Sequence, residues 1–166
     1  MTNNITYNQY IDIFEDIQYR HPQINDFYTG DIKKLGDDKE LKYPVLCVYP
    51  LATTLEVGQD NYLTVKVNSF NIVVGDIVQK DESNQTDILS DCEQIIMDII
   101  SEINQDRFYK ENGISITVND INPFFERYDD VLSGWVVNIN LKSRFHYKPC
   151  TSPSPRKINE KIIGRC

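Results

Sequence analysis

Histidine is nearly absent from this sequence, with two among 166 residues. His21 precedes a proline and His146 follows Phe145, and neither has a second histidine at metal-binding spacing, so both read as structural or surface residues. No phosphate loop, dinucleotide fingerprint, Cys-x-x-Cys pair, nucleophile elbow or calcium-loop spacing is present. No stretch approaches eighteen apolar residues, which excludes a membrane-spanning helix, and Met1 to Thr6 is polar, so no secretory signal is expected. The four cysteines, Cys47, Cys92, Cys150 and Cys166, lack short metal-type spacing. A chain of this size does not need staples, so free thiols in a reducing compartment are expected.

Basic residues are also scarce, with 17 Lys and Arg against 25 Asp and Glu and a net charge of -8. The imbalance is uneven: Lys148 to Cys166 carries a local +4, leaving -12 on residues 1–147. An acidic body argues against a sequence-independent grip on DNA, which needs cations to neutralise phosphates, and leaves passive proximity to DNA inside an assembly as the nucleic-acid reading.

What is there is ordinary for a folded chain: 40% hydrophobic, 11% aromatic and 25% charged residues, with ten tyrosines. The length supports one domain able to bury roughly 68 to 70% of its extended surface. Thr6 to Arg20 reads as a helix, with Thr6 and Gln9 as a capping box and Tyr7, Tyr10, Ile11, Phe14 and Ile17 on one side. Residues 25–41 read as a surface connection with a short turn or strand at Phe27–Tyr28. Tyr43 to Tyr49 is a strand apolar on both faces, the mark of one covered on both sides or buried by a partner. Tyr62 to Val74 is a second strand whose apolar parity switches between Val67 and Phe70, which predicts a bulge near Asn68–Ser69.

Thr86 is the expected cap of a second helix running to about Asn104, with Ile88, Cys92, Ile95, Ile96, Ile99 and Ile103 on a wide apolar stripe. Ile114 to Val118 is a strand that Asn122–Pro123 is expected to interrupt. The segment from Gly134 to Lys142 alternates cleanly, with Trp135, Val137, Ile139 and Leu141 facing one way. The expected fold class is α+β, a mainly antiparallel four- to five-stranded sheet packed against two helices on one face. Its core is expected to include Phe14, Ile17, Val65, Cys92, Ile96, Ile99, Trp135, Val137 and Ile139. Residues 1–147 form the single domain. Residues 148–166, with Pro149, Pro153 and Pro155, form an extended basic arm.

Candidate chemistry is thin. Asp129 and Asp130, after Glu126, are a carboxylate pair of the kind that can hold a metal or divide acid and base roles, but they fall where a solvated hairpin turn is expected. Cys92 lies on the helix stripe and Cys47 inside a strand, both as small buried hydrophobes, while Cys150 and Cys166 have no sequence-local base. No catalytic residue, metal or cofactor is expected, and the protein is read as a non-enzyme. What remains is interaction: Lys148, Arg156, Lys157, Lys161 and Arg165 supply charge to the arm, and Ile158, Ile162 and Ile163 supply apolar anchors suited to lying on a neighbour.

The run Tyr43-Pro44-Val45-Leu46, the long strand Leu63 to Val74, the helix Asp87 to Ile103, and Asp129-Asp130-Val131-Leu132-Ser133-Gly134-Trp135-Val136-Val137-Asn138-Ile139 carry a resemblance. Over residues 6–147 the chain resembles small tail terminator and head-to-tail joining (neck) proteins of tailed bacteriophages, especially those of Bacteroidetes phages. The resemblance implies a virion structural protein, assembled in the host cytoplasm. It implies a homo-oligomeric ring of six- or twelve-fold symmetry that meets the portal and adjacent neck or tail proteins, with no membrane partner. Trp135 would then support the domain and residues 148–166 would be the reaching arm. The rival reading is a cytosolic protein-binding adaptor whose arm is ordered by its partner. Deleting Lys148 to Cys166 is expected to leave the domain folded, as judged by a retained cooperative thermal unfolding transition, and to weaken association with neighbours.

Overall fold

The computed structural model describes residues 4–30, 35, 40–57, 63–127 and 131–145. In chain order the elements are α1 (Tyr7–Arg20), β1 (Asp26–Thr29), β2 (Val45–Val57), β3 (Leu63–Ile77), α2 (Gln85–Gln105), α3 (Arg107–Glu111), β4 (Ser115–Arg127) and β5 (Val131–Arg144). The strands form one five-stranded sheet in the order β1-β2-β3-β5-β4. Three neighbouring pairs are antiparallel and β1 runs parallel to β2. The fold is therefore α+β, as expected, but the sheet is mixed and a third, short helix accompanies the two that were expected. The parallel strand follows from the chain path: α1 returns the chain to the end of the sheet where β2 also begins, and Asn25 N–H bonds the Pro44 carbonyl at 2.9 Å to start the pairing.

Both α1 and α2 lie on one face of the sheet. Thr6 caps α1 as its sequence implies, accepting from the Gln9 amide while the Gln9 side chain accepts from the Thr6 amide at 2.8 Å. Tyr10, Phe14 and Ile17 are then buried on Phe70 and the neighbouring strand residues. α2 begins earlier than expected: Asn84, not Thr86, is its N-cap residue, and the Asn84 side chain accepts from the Gln79 amide instead of capping the helix. The Trp135 indole donates to the Leu89 carbonyl at 2.8 Å, fastening α2 to β5. His21, at the C-cap of α1, accepts from the Gln23 amide through Nδ1, so its proton sits on Nε2, 3.6 Å from an Asp98 carboxylate oxygen of α2.

The expected core residues Phe14, Ile17, Cys92, Ile96, Ile99, Val137 and Ile139 are buried together, with Trp135 partly buried against them. Val65 is a correction. It is half-buried and belongs to neither apolar cluster, because it points to the opposite face of β3 from Phe70, Ile72 and Val74. On that second face Val45, Cys47, Val73 and Leu132 bury a smaller cluster under Leu35. The two apolar faces of the first half of β2 are thus both covered by the chain itself.

The parity switch in β3 also has a different cause from the expected bulge. β3 pairs with β5 without interruption from Val65↔Arg144 to Ile77↔Leu132, so its two apolar sets simply occupy opposite faces. The irregularities lie in the pairing of β2 with β3, between Pro50 and Ala52 and between Glu56 and Val57. β4 likewise runs on through Asn122–Pro123, which an edge strand tolerates, and shifts register between Val118 and Asp120. Among the described residues, no helix is long and apolar enough to cross a membrane.

Near the start of β5 the ladder leaves no room for a side chain at Gly134. It pairs with Gly75, and a β-carbon built on Gly134 would lie 2.0 Å from the Val74 carbonyl oxygen and 2.8 Å from the Gly75 Cα. The obstruction is backbone, so it can be relieved only by moving a strand. Gly134→Ala is expected to destabilise the protein by about 3 kcal/mol, the upper range for overpacking, read from urea denaturation midpoints.

Candidate assembly surface

β1 covers β2 only over Val45–Val48, the four residues in its register. Beyond that point β2 is an edge strand, and among the described residues no strand pairs with its outer side. Leu51 to Val57 are all exposed. Three of them are apolar and protrude: Leu51 is 46% exposed, Leu55 42% and Val57 58%. The bulge at Leu51 produces this arrangement. Before it, Leu46 and Val48 point toward the helices. After it the parity inverts, so that Leu55 comes opposite Lys66 and Glu56 opposite Val65.

A long edge with apolar side chains is a template for pairing with another chain. The far edge, β4, is better protected, carrying a bulge at Asn119 and a proline at position 123. It too exposes apolar surface, at Val118 and Phe125, each 36% exposed. The sheet therefore ends in two unlike open edges.

Between these edges, on the face away from α1 and α2, the sheet carries a connected polar row. Asn71 donates to the Tyr49 hydroxyl at 2.6 Å, and Asn138 donates to Asn71 at 3.2 Å. Asn119, freed by its bulge to point to this face, donates to Asn138 and accepts from Asn140 at 3.3 Å, and Ser69 donates to Asn140 at 2.6 Å. Six side chains from four strands are joined in this way, each amide serving as donor and acceptor. Lys142 reaches across β3 to Glu56 at 3.2 Å on the same face. This row stiffens the region from which the free half of β2 projects.

Among the described residues the titratable groups do not gather into a metal-binding cluster: no group of three or more His, Cys, Asp or Glu side chains could hold a metal ion. Burial, reinforced by the nearby charges of Asp76 and Asp91, pushes the Cys92 thiol from its ordinary 9.0 up to about 12, which keeps it protonated and a poor nucleophile at neutral pH. Cys47 is also buried, and its thiol donates to the Gly30 carbonyl at 3.9 Å. Asp76 is itself raised, first by burial and then by the charge of Asp91.

Asp129, Asp130, His146 and the arm residues Lys148, Arg156, Lys157, Ile158, Lys161, Ile162, Ile163 and Arg165 lie outside the described residues. The open half of β2 was missed at the sequence level because Leu-Ala-Thr-Thr-Leu-Glu-Val has no face fully buried and so no clean alternation. Its signal is its β-branched and apolar content directly after a strand.

Cys92 sets an alkaline limit on stability. The native state holds the thiol proton up to about 12, whereas the unfolded chain loses it near 9.0, so stability is complete below 9 and declines as pH rises toward 12. Burial raises Tyr10 and Tyr109 in the same sense, while the lowered Lys66 acts oppositely. Urea midpoints measured between pH 8 and 11 should fall, and Cys92→Ala should flatten that fall while lowering stability uniformly through the lost packing.

No protein-family model matches the chain, and no curated protein matches it.

Proposed function

We propose that the protein is a structural subunit of the neck or tail of a tailed bacteriophage, which joins or seals the head-to-tail connection by assembling into a ring. The single observation that carries this reading is the open outer half of β2, with Leu51, Leu55 and Val57 displayed on an unpaired edge. A ring is a head-to-tail interface repeated until the rotation closes, and it needs two different complementary surfaces on one subunit. The β2 and β4 edges are two such surfaces, at opposite ends of one sheet.

On this reading the fold is of the tail-terminator kind, and the protein resides in the virion after assembly in the host cytoplasm. The ring is six- or twelve-fold and meets the portal and adjacent neck or tail proteins. The arm from Lys148 to Cys166 reaches a neighbouring subunit once the ring forms. The function is mechanical, with no turnover and no cofactor. A net charge of -8 on every copy gives the ring a negative field that repels DNA phosphates and limits adhesion of a passing genome.

Native mass spectrometry and particle imaging of the full chain, alone and with portal or tail components, test the proposal. Closed rings are expected, alone or on those components. A strictly monomeric protein that never joins virion components overturns the reading. Leu55→Lys combined with Val57→Lys should reduce the ring population roughly tenfold while moving the unfolding midpoint by no more than about 2 °C, because both side chains are exposed in the free subunit.

A further inference from the structure

A groove of about 530 Å³ runs along the outer side of α1, between that helix and the α3–β4 corner. Its floor is apolar, formed by Ile5, Ile13, Tyr109 and Ile114. Its rim is acidic, with Asp12, Asp16 and Asp106. Arg20 is the one cation among these lining residues and is engaged by Asp16 at 2.8 Å and by Glu102, while Lys66 and Arg144 stand beside the Ile5 and Gly113 positions, so negative charge is concentrated on the rim at Asp12, Asp16 and Asp106. An occupant that fits would be a short segment with apolar side chains flanked by several cations.

This sequence contains such a segment. Residues 156–165 read Arg-Lys-Ile-Asn-Glu-Lys-Ile-Ile-Gly-Arg, with Ile158, Ile162 and Ile163 among Arg156, Lys157, Lys161 and Arg165. The rest of the chain is acidic, so no other stretch of it combines three isoleucines with this density of positive charge.

The described chain also ends at the groove. The Arg144 side chain, at the end of β5, lies against Gly113, 3.6 Å from where a β-carbon on that glycine would stand, and Gly113 sits between the lining residues Asn112 and Ile114. Lys66 donates to the Ile5 carbonyl at 2.7 Å, and Lys66 is the ladder partner of Ser143. The end of the groove near Ile5 and Gly113 therefore lies beside Ser143 and Arg144, the last residues of β5. At about 3.4 Å per residue the stretch from Phe145 to Ile158 can reach about 40 Å, whereas Gln9 to Arg20 along α1 spans about 16 Å at 1.5 Å per residue. A tether this short holds the segment at an effective concentration of the order of millimolar.

We infer that in the free subunit the groove between α1 and the α3–β4 corner is the docking site of the same chain's C-terminal segment, residues 156–165. The isoleucines lie on the floor of Ile5, Ile13, Tyr109 and Ile114, and the lysines and arginines face the acidic rim. This goes beyond the ring reading and stands without it: the groove is a stowage site within one subunit, whichever partner the arm later meets.

The test is zero-length carbodiimide coupling of the full chain at low micromolar concentration, on an equal mixture of light and nitrogen-15-labelled protein, with the linked peptides identified by mass spectrometry. Amide links from Lys157 or Lys161 to Asp12, Asp16 or Asp106 are expected, and in pairs of the same isotope only. Their yield should fall roughly tenfold in about 1 M salt, where the screening length is about 3 Å. A similar fall is expected in a chain carrying Ile162→Ser and Ile163→Ser, which keeps every coupling lysine and carboxylate. Absence of these links overturns the inference, as does a yield indifferent to both salt and the serine substitutions. Links found mainly between light and heavy copies also overturn it, because they place a neighbour's segment in the groove.

Discussion

The uninterrupted pairing of β3 with β5 is the constraint on which the other elements depend. Gly75 and Gly134 face each other near the end of this ladder where β5 begins, so the two backbones approach more closely than any side chain would allow. That approach aligns Val74, Ile72 and Phe70 with Trp135, Val137 and Ile139 on one face, and Trp135 then reaches the Leu89 carbonyl to fix where α2 lies. α1 packs its Tyr10, Phe14 and Ile17 against the same surface, with the Tyr10 hydroxyl donating to Ser143 at 2.7 Å. Helices, sheet and the chain's exit from β5 are all positioned from this one ladder.

A continuous ladder also makes the irregularities meaningful. The strands outside this pair each carry a bulge, at Leu51 on β2 and at Asn119 on β4. Each inverts the alternation of its own strand halfway along. On β2 the inversion leaves three apolar side chains outside the core, and on β4 it turns Asn119 into the polar row of the opposite face. Bulges at sheet edges commonly re-aim side chains in this way, and here both open edges of the sheet are shaped by one.

Much of this was legible where burial is one-sided and local. The Thr6–Gln9 box, the isoleucine stripe of α2 and the alternation from Trp135 to Leu141 each record a single buried face, and each element stands where its pattern placed it. The patterns failed where two causes give the same sequence. In β3 a change of parity meant a change of covered face, not a bulge, because Val73 and Phe70 are buried by different layers. Pro123 suggested an interruption, but the missing donor matters little on a strand with one unpaired side. β1 is three half-buried residues and an exposed Thr29, its pairing depends on a strand nineteen positions later, and nothing local encodes its direction. The asparagines of the polar row are unremarkable singly and acquire meaning only from the register that joins them.

The free energy available at the β2 edge shapes what kind of ring the protein could form. Fully burying an aliphatic side chain is worth about 1.5 to 3 kcal/mol, and Leu51, Leu55 and Val57 are each already about half covered, so together they offer about 3 kcal/mol. Fixing one subunit on another costs an estimated 4 to 15 kcal/mol in lost freedom. The edge alone does not meet that cost, and acidic bodies repel one another besides. On the docking inferred above, exchanging the basic segment from its own groove to a neighbour's would add little, since the same charges and isoleucines are satisfied in either place. Assembly must then draw on something that a dimer lacks: closure of the ring, in which the last subunit makes two interfaces for one loss of freedom, or a template that holds several subunits together. If the protein forms the proposed ring, the modest strength of its open edge favours closure, or a platform of matching symmetry, over isolated pairs.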